Sequence, residues 1–269
     1  MNRMDMKAVL PAAHPIIGMV HALPLPGSPR WKGSMAAVLD RAATDAQALA
    51  DGGVDGIFVE NYGDSPFYPG AVPAETVAAL TLVVREVTAA VRLPVGVNVL
   101  RNDAASALAI AAATGARFIR VNVHTGSMQT DQGPITGRAH ETLRQRSALG
   151  IDAGICADVL VKHATPPAGT TYSQAAADTW ERGLADVLIV PGAATGAPVD
   201  LASVREVRDA VPAAQIWIGS GFTAESAAAL LAIANGAIVG SAFQTDGAAG
   251  NPVERERVAR VMEAVLRLR

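Results

Sequence analysis

Four ionisable side chains stand where short apolar runs give way to polar residues. Glu60 ends the run Ile57-Phe58-Val59, and Asp158, Lys162 and His163 fall within Ala157-Asp158-Val159-Leu160-Val161-Lys162-His163. A carboxylate ending an apolar run is costly to bury without a purpose or a partner such as Arg120. Carboxylate, imidazole and amine together are the equipment of proton transfer. Asp158 or Glu60 is the candidate base and His163 the candidate acid; Lys162 would serve as a cation beside a developing oxyanion or as a Schiff-base amine. A helical turn after Asp158 would put Asp158 and Lys162 on one face, where a solvated salt bridge is the competing account. His21, Asn98, Arg120 and Asn122 form a second group that would bind substrate and orient its hydroxyls. His21 could equally close a loop against backbone carbonyls, and the two amides could tie loops together. Asp103 reads as a helix N-cap, His124 as peripheral and Cys156 as packing.

A second signal lies in the last quarter of the chain, in Gly219-Ser220-Gly221-Phe222-Thr223 and in Val239-Gly240-Ser241-Ala242. Glycines let backbone amides approach an anion closely, and a helix starting just after them would add a favourable dipole. Gly192, in Pro191-Gly192-Ala193-Ala194-Thr195-Gly196, would contribute further amides. A pair of tight turns without a ligand is the bland alternative. No cofactor is expected. The histidines are scattered, without His-x-His or His-Glu-x-x-His spacing, so a divalent metal would require His21, Glu60, Asp158 and His163 to converge in space. A Ser-His-Asp nucleophile lacks its elbow motif.

These residues need a scaffold that brings the ends of many segments to one place. Runs rich in Val and Ile recur at 16–21, 54–61, 94–99, 117–123, 151–158, 186–190, 215–219 and 237–241. Between them, apolar residues repeat at helical spacing, as in Met35, Val38, Leu39, Ala42, Ala46 and Leu49. Gly52-Gly53, Gly115 and Thr223 followed by Glu225 mark helix ends and starts, and a helix over 252–268 closes the chain. Eight strand–helix units in one chain predict an α/β fold, a single (β/α)8 barrel over residues 1–269 with residues 1–15 as an N-terminal extension. A doubly wound open sheet would want Gly-x-Gly-x-x-Gly after the first strand; the chain has His21-Ala22-Leu23-Pro24-Leu25-Pro26-Gly27 there, whose prolines oppose an immediate helix. In a barrel the working residues sit at the C-terminal ends of the strands, where every candidate above falls, and the loops after strands seven and eight are the usual phosphate site.

Composition narrows the partners. The charge is −3, from 22 Lys and Arg against 25 Asp and Glu, which excludes polyanion binding by bulk charge. Aromatic residues make up only 4%, which disfavours base-stacking on nucleic acid. Apolar stretches are broken well before membrane-spanning length, so no integral membrane segment is expected, and the first fifteen residues do not read as a secretory signal. The single cysteine excludes an internal disulfide and fits a reducing, cytoplasmic setting. A small phosphorylated ligand is the expected partner, and the outer barrel helices leave pairing with a second copy open.

Several strings together resemble the BtpA/SgcQ family: Gly18-Met19-Val20-His21-Ala22-Leu23-Pro24-Leu25-Pro26-Gly27-Ser28-Pro29, Val59-Glu60-Asn61-Tyr62-Gly63-Asp64, Gly96-Val97-Asn98-Val99-Leu100-Arg101-Asn102-Asp103, Phe118-Ile119-Arg120-Val121-Asn122-Val123 and the segment from Ala157 to Ala164. Thr130-Asp131-Gln132-Gly133 and Ile218-Gly219-Ser220-Gly221 are similar as well. Ala22 and Pro191 depart from the pattern, where a larger apolar residue and Thr would be expected. The resemblance implies a TIM barrel of the phosphate-binding type, related in pattern to sugar-phosphate and tryptophan-pathway barrels. One member is named for photosystem I biogenesis and another lies among genes for carbohydrate handling. The expectation is an enzyme acting on a small phosphorylated sugar or ribosyl compound, by isomerisation, lyase cleavage or glycosidic cleavage. The alternatives are a non-enzymatic assembly or stability factor for a photosynthetic complex, a metal-assisted hydrolase, and a sensor that binds a sugar phosphate without turnover.

Overall fold

A computed structural model describes residues 3–192 and 194–269. Ala193, one of the residues expected to add loop amides, lies outside the described residues. Every expected strand forms, most with trimmed ends: β1 (Ile16–His21), β2 (Gly56–Glu60), β3 (Val95–Asn98), β4 (Phe118–Val121), β5 (Gly154–Asp158), β6 (Val187–Val190), β7 (Ile216–Ile218) and β8 (Gly236–Val239). They pair in sequence order, all parallel, and β8 closes onto β1. The fold is therefore the closed (β/α)8 TIM barrel that the alternation predicted. Parallel neighbours require a crossover each time, supplied by α1 (Met35–Asp51), α2 (Ala74–Ala90), α3 (Ala104–Thr114), α4 (Ala139–Ala148), α5 (Tyr172–Ala177), α6 (Leu201–Ala210) and α7 (Ala227–Leu231), with α8 (Arg255–Leu266) after β8. Caps start several of them. Ser34 accepts from the Ala37 amide and Asp103 from the Ser106 amide at 3.0 Å, the cap role expected of Asp103. The closing helix begins later than 252, because the Val253 amide donates to Asp45 and the Glu254 amide to the Phe243 carbonyl, which hold 252–254 extended.

Strand residues alternate between two cores. Val20, Ile57, Val59, Val97, Ile119, Leu188 and Val190 pack outward against the helices. Met19, Phe58, Phe118, Trp217 and Ile238 fill the barrel interior, with Phe118 edge-on to Phe58 at 4.7 Å and to Trp217 at 6.5 Å between ring centroids. Gly96 makes this layer possible, since a Cβ there would overlap the Phe118 ring. The floor is closed by the chain's own start: Met6, Val9 and Leu10, around a helical turn at Met6–Val9, join the interior cluster. The segment expected as an extension is thus a stopper.

One element is absent from the sequence expectation. After β4 the chain makes a hairpin, Ser127–Thr130 with Gly133–Thr136, and Ala164–Thr165 from the loop after β5 adds a third antiparallel strand. Its turn carries Asp131 to the rim of the barrel mouth. Thr125 to Thr136 carry only short alternating runs, and the Asp131-Gln132 turn followed by Gly133 at φ 92° was the available signal.

Candidate active site

Strand register builds the site. Cα partners run His21↔Glu60, Glu60↔Asn98 and Asn98↔Arg120 across β1 to β4, so four polar side chains form one row around the top of the aromatic interior. Two residues further on, Asn122 faces the same way as Arg120, as alternation requires. Asp158, ending β5, ties the row together. Its carboxylate accepts from Arg120 Nε at 3.1 Å, Arg120 Nη2 at 3.0 Å and Asn122 Nδ2 at 2.9 Å. Asn98 Nδ2 donates to Asn122 Oδ1 at 3.0 Å and to the Arg120 carbonyl at 3.2 Å. The Arg120 side chain is 3% exposed and that of Asp158 0%. Burial opposes the Arg120 charge, but Asp158 and Glu60 outweigh it and raise its pKa above the ordinary value.

This geometry changes the place of Asp158. Three donors occupy its carboxylate, and the mouth cavity is lined by Arg120 rather than by Asp158. The helical turn expected after it does not form. Leu160 and His163 both have positive φ, 55° and 56°, and the segment bends instead, so Asp158 and Lys162 form no salt bridge. His163 is exposed at the rim, where its Nε2 accepts from the Thr195 amide at 3.2 Å and contacts Thr195 Oγ1 at 3.1 Å. The four residues that a metal would need therefore separate. His21 and Glu60 stay together while Asp158 and His163 turn elsewhere, and no group of three His, Cys, Asp or Glu converges among the described residues.

Glu60 and Lys162 are the groups left free to react. Among the described residues nothing donates a hydrogen bond to the Glu60 carboxylate, and His21 Nε2 approaches it only to 3.8 Å. Burial raises the Glu60 pKa, against the pull of Arg120, Lys162 and Arg101. Lys162, whose side chain makes no ion pair among the described residues, has its pKa lowered to about 8 by burial and by Arg120. His21 stacks on Tyr62 at 4.5 Å, and its Nδ1 accepts from the Gly250 amide at 3.2 Å and Gln244 Nε2 at 2.9 Å. Those donors leave the proton on Nε2. Burial and Lys162 lower its pKa to about 3, so it is a neutral N–H donor aimed at the mouth.

The glycine loops meet these groups in one throat. Gly219, Ser220, Gly221, Gly240 and Ser241 line a cavity of about 30 Å³ together with His21, Glu60, Arg120 and Lys162. It widens into a basin of about 580 Å³ that adds Arg30, Arg101, Asp131 and His163. Gly221 has φ +66°, and a Cβ there would strike the Ala197 carbonyl, so the loop after β7 is shaped for glycine. The amides of Ser220 and Gly221 donate to no backbone carbonyl among the described residues. Two details differ from expectation. Gly192 does not line the throat, because its amide donates to Ser220 Oγ at 2.6 Å. The helix after β7 starts at Ala227, too far along to turn its dipole on the throat, and β8 is followed by two 3-10 turns, Ser241–Phe243 and Thr245–Gly247.

Some residues lie outside the site. His124 is buried and donates from Nε2 to the Gly183 carbonyl at 2.8 Å, and Cys156 is buried in the interior with its pKa raised by burial. Arg101 was absent from the candidate set. It follows β3 in the turn at 100–102, and it lines the basin while only 5% exposed. A lone arginine in a polar loop looks solvated from sequence. The buried amides that fix its loop are readable only in three dimensions: Asn61 Oδ1 accepts from the Leu100 amide at 2.7 Å, and the Arg101 amide donates to the Tyr68 carbonyl at 3.0 Å.

The model of the BtpA family matches residues 12–267. Photosystem I biogenesis protein BtpA of Synechocystis sp. is 48% identical over 262 residues, which cover 97% of this chain and 91% of that protein. The sgc region protein SgcQ of Escherichia coli is 30% identical over 267 residues, 98% of each chain. Among solved structures, phosphoribosyl anthranilate isomerase from Thermus thermophilus matches with a TM-score of 0.59 at 11% identity, over 95% of this chain and 100% of that one. That likeness is one of fold. Among the described residues no helix is long and apolar enough to cross a membrane.

Proposed function

The chain belongs to the BtpA family, and from that premise and the geometry of its mouth we propose an enzyme that acts on a small phosphorylated sugar or ribosyl compound. The observation that carries this reading is the shared throat: glycine loops after β7 and β8 open onto the same cavity as Glu60, Lys162 and Arg120. Loop amides and the Arg120 guanidinium would hold the phosphate. Glu60, with a raised pKa and no donor to satisfy it among the described residues, is the general base and acid. His21 Nε2–H would donate to the oxyanion that develops as the proton leaves. Lys162 supplies either positive charge to that oxyanion or, in its neutral form, an amine for a carbonyl. Asp158 holds the Arg120 guanidinium in place, and Asn98 and Asn122 complete that support. Isomerisation, retro-aldol cleavage and glycosidic cleavage all use this equipment.

The test is thermal shift against a panel of sugar phosphates and ribosyl phosphates, each beside its unphosphorylated counterpart. Binding at about 100 times Kd stabilises by about 2.7 kcal/mol, a shift of several degrees. A phosphate-dependent shift that disappears in Gly221→Asp supports the reading. Absence of any phosphate-dependent shift sinks it, and the name of the Synechocystis relative would then favour a non-enzymatic assembly factor. Such a factor would tolerate replacement of Glu60 and Lys162 without loss of function.

A further inference from the structure

Arg101 is 5% exposed, yet its guanidinium makes one hydrogen bond, Nη2 to the Lys162 carbonyl at 2.6 Å, and no ion pair among the described residues. A buried arginine normally has a carboxylate or several acceptors. Arg120, one strand away, has the Asp158 carboxylate on two of its nitrogens, which makes the contrast internal to the site. None of the remaining Arg101 nitrogens is sealed from the surface, and the residue lines the basin, so its free N–H groups open into the cavity. Its position is fixed from behind by Asn61 and Tyr68. Arg101 follows β3, and in the eight-stranded ring β7 stands four strands away, directly across the mouth. The glycine throat and the free guanidinium therefore face one another over the basin.

We propose that Arg101 binds a carboxylate at the end of the substrate opposite its phosphate, so that the ligand is a phosphorylated sugar acid or a similar molecule with anionic groups at both ends. A planar guanidinium with free N–H groups matches a carboxylate in a bidentate pair. This inference rests on the phosphate reading for the far end of the ligand, and the experiment separates the two.

Dissociation constants are measured by calorimetry for 6-phosphogluconate, glucitol 6-phosphate, gluconate and glucitol. These open-chain molecules differ only at the two ends. The wild type is compared with Arg101→Gln, Arg101→Lys and Gly221→Asp, each checked for folding by circular dichroism. Expected is a preference of about thirtyfold or more for 6-phosphogluconate over glucitol 6-phosphate in the wild type. Arg101→Gln should abolish it while leaving glucitol 6-phosphate affinity unchanged, and Arg101→Lys should retain only part of it. Equal measurable binding of the two phosphates by the wild type, or no binding of any of the four ligands, overturns the carboxylate site, and this arm stands even where a variant does not fold. A preference that survives Arg101→Gln overturns it as well. If glucitol 6-phosphate binds no better than glucitol while gluconate binds and Arg101→Gln removes that binding, the phosphate reading fails and the carboxylate site stands.

Discussion

Asp158→Asn separates a supporting residue from a reacting one. The carboxylate accepts three hydrogen bonds, two from Arg120 and one from Asn122, inside a pair whose side chains are 3% and 0% exposed. An amide keeps one oxygen and turns the other into a donor, so in either orientation an NH2 group faces an N–H of Arg120 or Asn122. Arg120 also loses the nearest of its two negative neighbours and keeps only the more distant Glu60. Breaking a buried pair from one side costs about 3–5 kcal/mol. At about 2–4 °C per kcal/mol for a chain of this size, the melting temperature should fall by about 6–20 °C. Urea unfolding followed by circular dichroism measures the free energy, and thermal scans check it. The double variant Arg120→Met/Asp158→Leu should recover most of the loss, because it removes both charges and leaves apolar groups of similar size. A loss below about 1 kcal/mol for Asp158→Asn would refute the supporting role and return Asp158 to the set of candidate bases.

Glu60→Gln should lower turnover by about 10²- to 10⁴-fold, once a substrate is known, and should stabilise the protein at neutral pH. Because the folded pKa is raised, the unfolded chain ionises first as pH climbs, so the carboxylate weakens the fold above its ordinary range; the gain from Gln should shrink on acidification below that range, and its absence at pH 7 would count against the buried, donor-free carboxylate. Lys162→Met should stabilise at pH 7 by removing a cation whose pKa is lowered to about 8. The unfolded chain holds that proton up to the ordinary lysine range, so wild-type stability rises between about 8 and 10.5 and the gain from Met should fade over the same window in pH-dependent urea unfolding. His21, with a pKa of about 3, should stay neutral with the proton on Nε2 from pH 5 to 8, and a nitrogen-15 spectrum showing it titrate near 6.5 would contradict the hydrogen bonds assigned to Nδ1.

The barrel was legible because alternation of Val- and Ile-rich runs with helical periodicity is a local property repeated eight times. The row of Glu60, Asn98 and Arg120 was legible for a related reason: polar residues ending apolar strands have few other places to go. What each does within the row was not. Whether Asp158 faces Lys162 four residues on or Arg120 thirty-eight residues back depends on the backbone between 158 and 162, where Leu160 has positive φ, and leucine does not announce a left-handed conformation. His163 was drawn to the centre by its neighbours in sequence and stands on Thr195 at the rim. Arg101 was visible in the chain but its burial was not, since Asn61 and Tyr68 fix its loop from other segments.

The stopper at the floor has a consequence for how the molecule is made. Met4 donates its amide to Asp186, Arg3 lies over the Trp180 ring at 3.9 Å, and Met6, Val9 and Leu10 cluster with Trp217 and Ile238. This segment thus has its partners at residues 180–238, far along the chain. It must stay undocked until the seventh and eighth strands exist, and its late arrival seals the interior. Docking of residues 3–10 then seals the bottom of the barrel while the reactive end stays open.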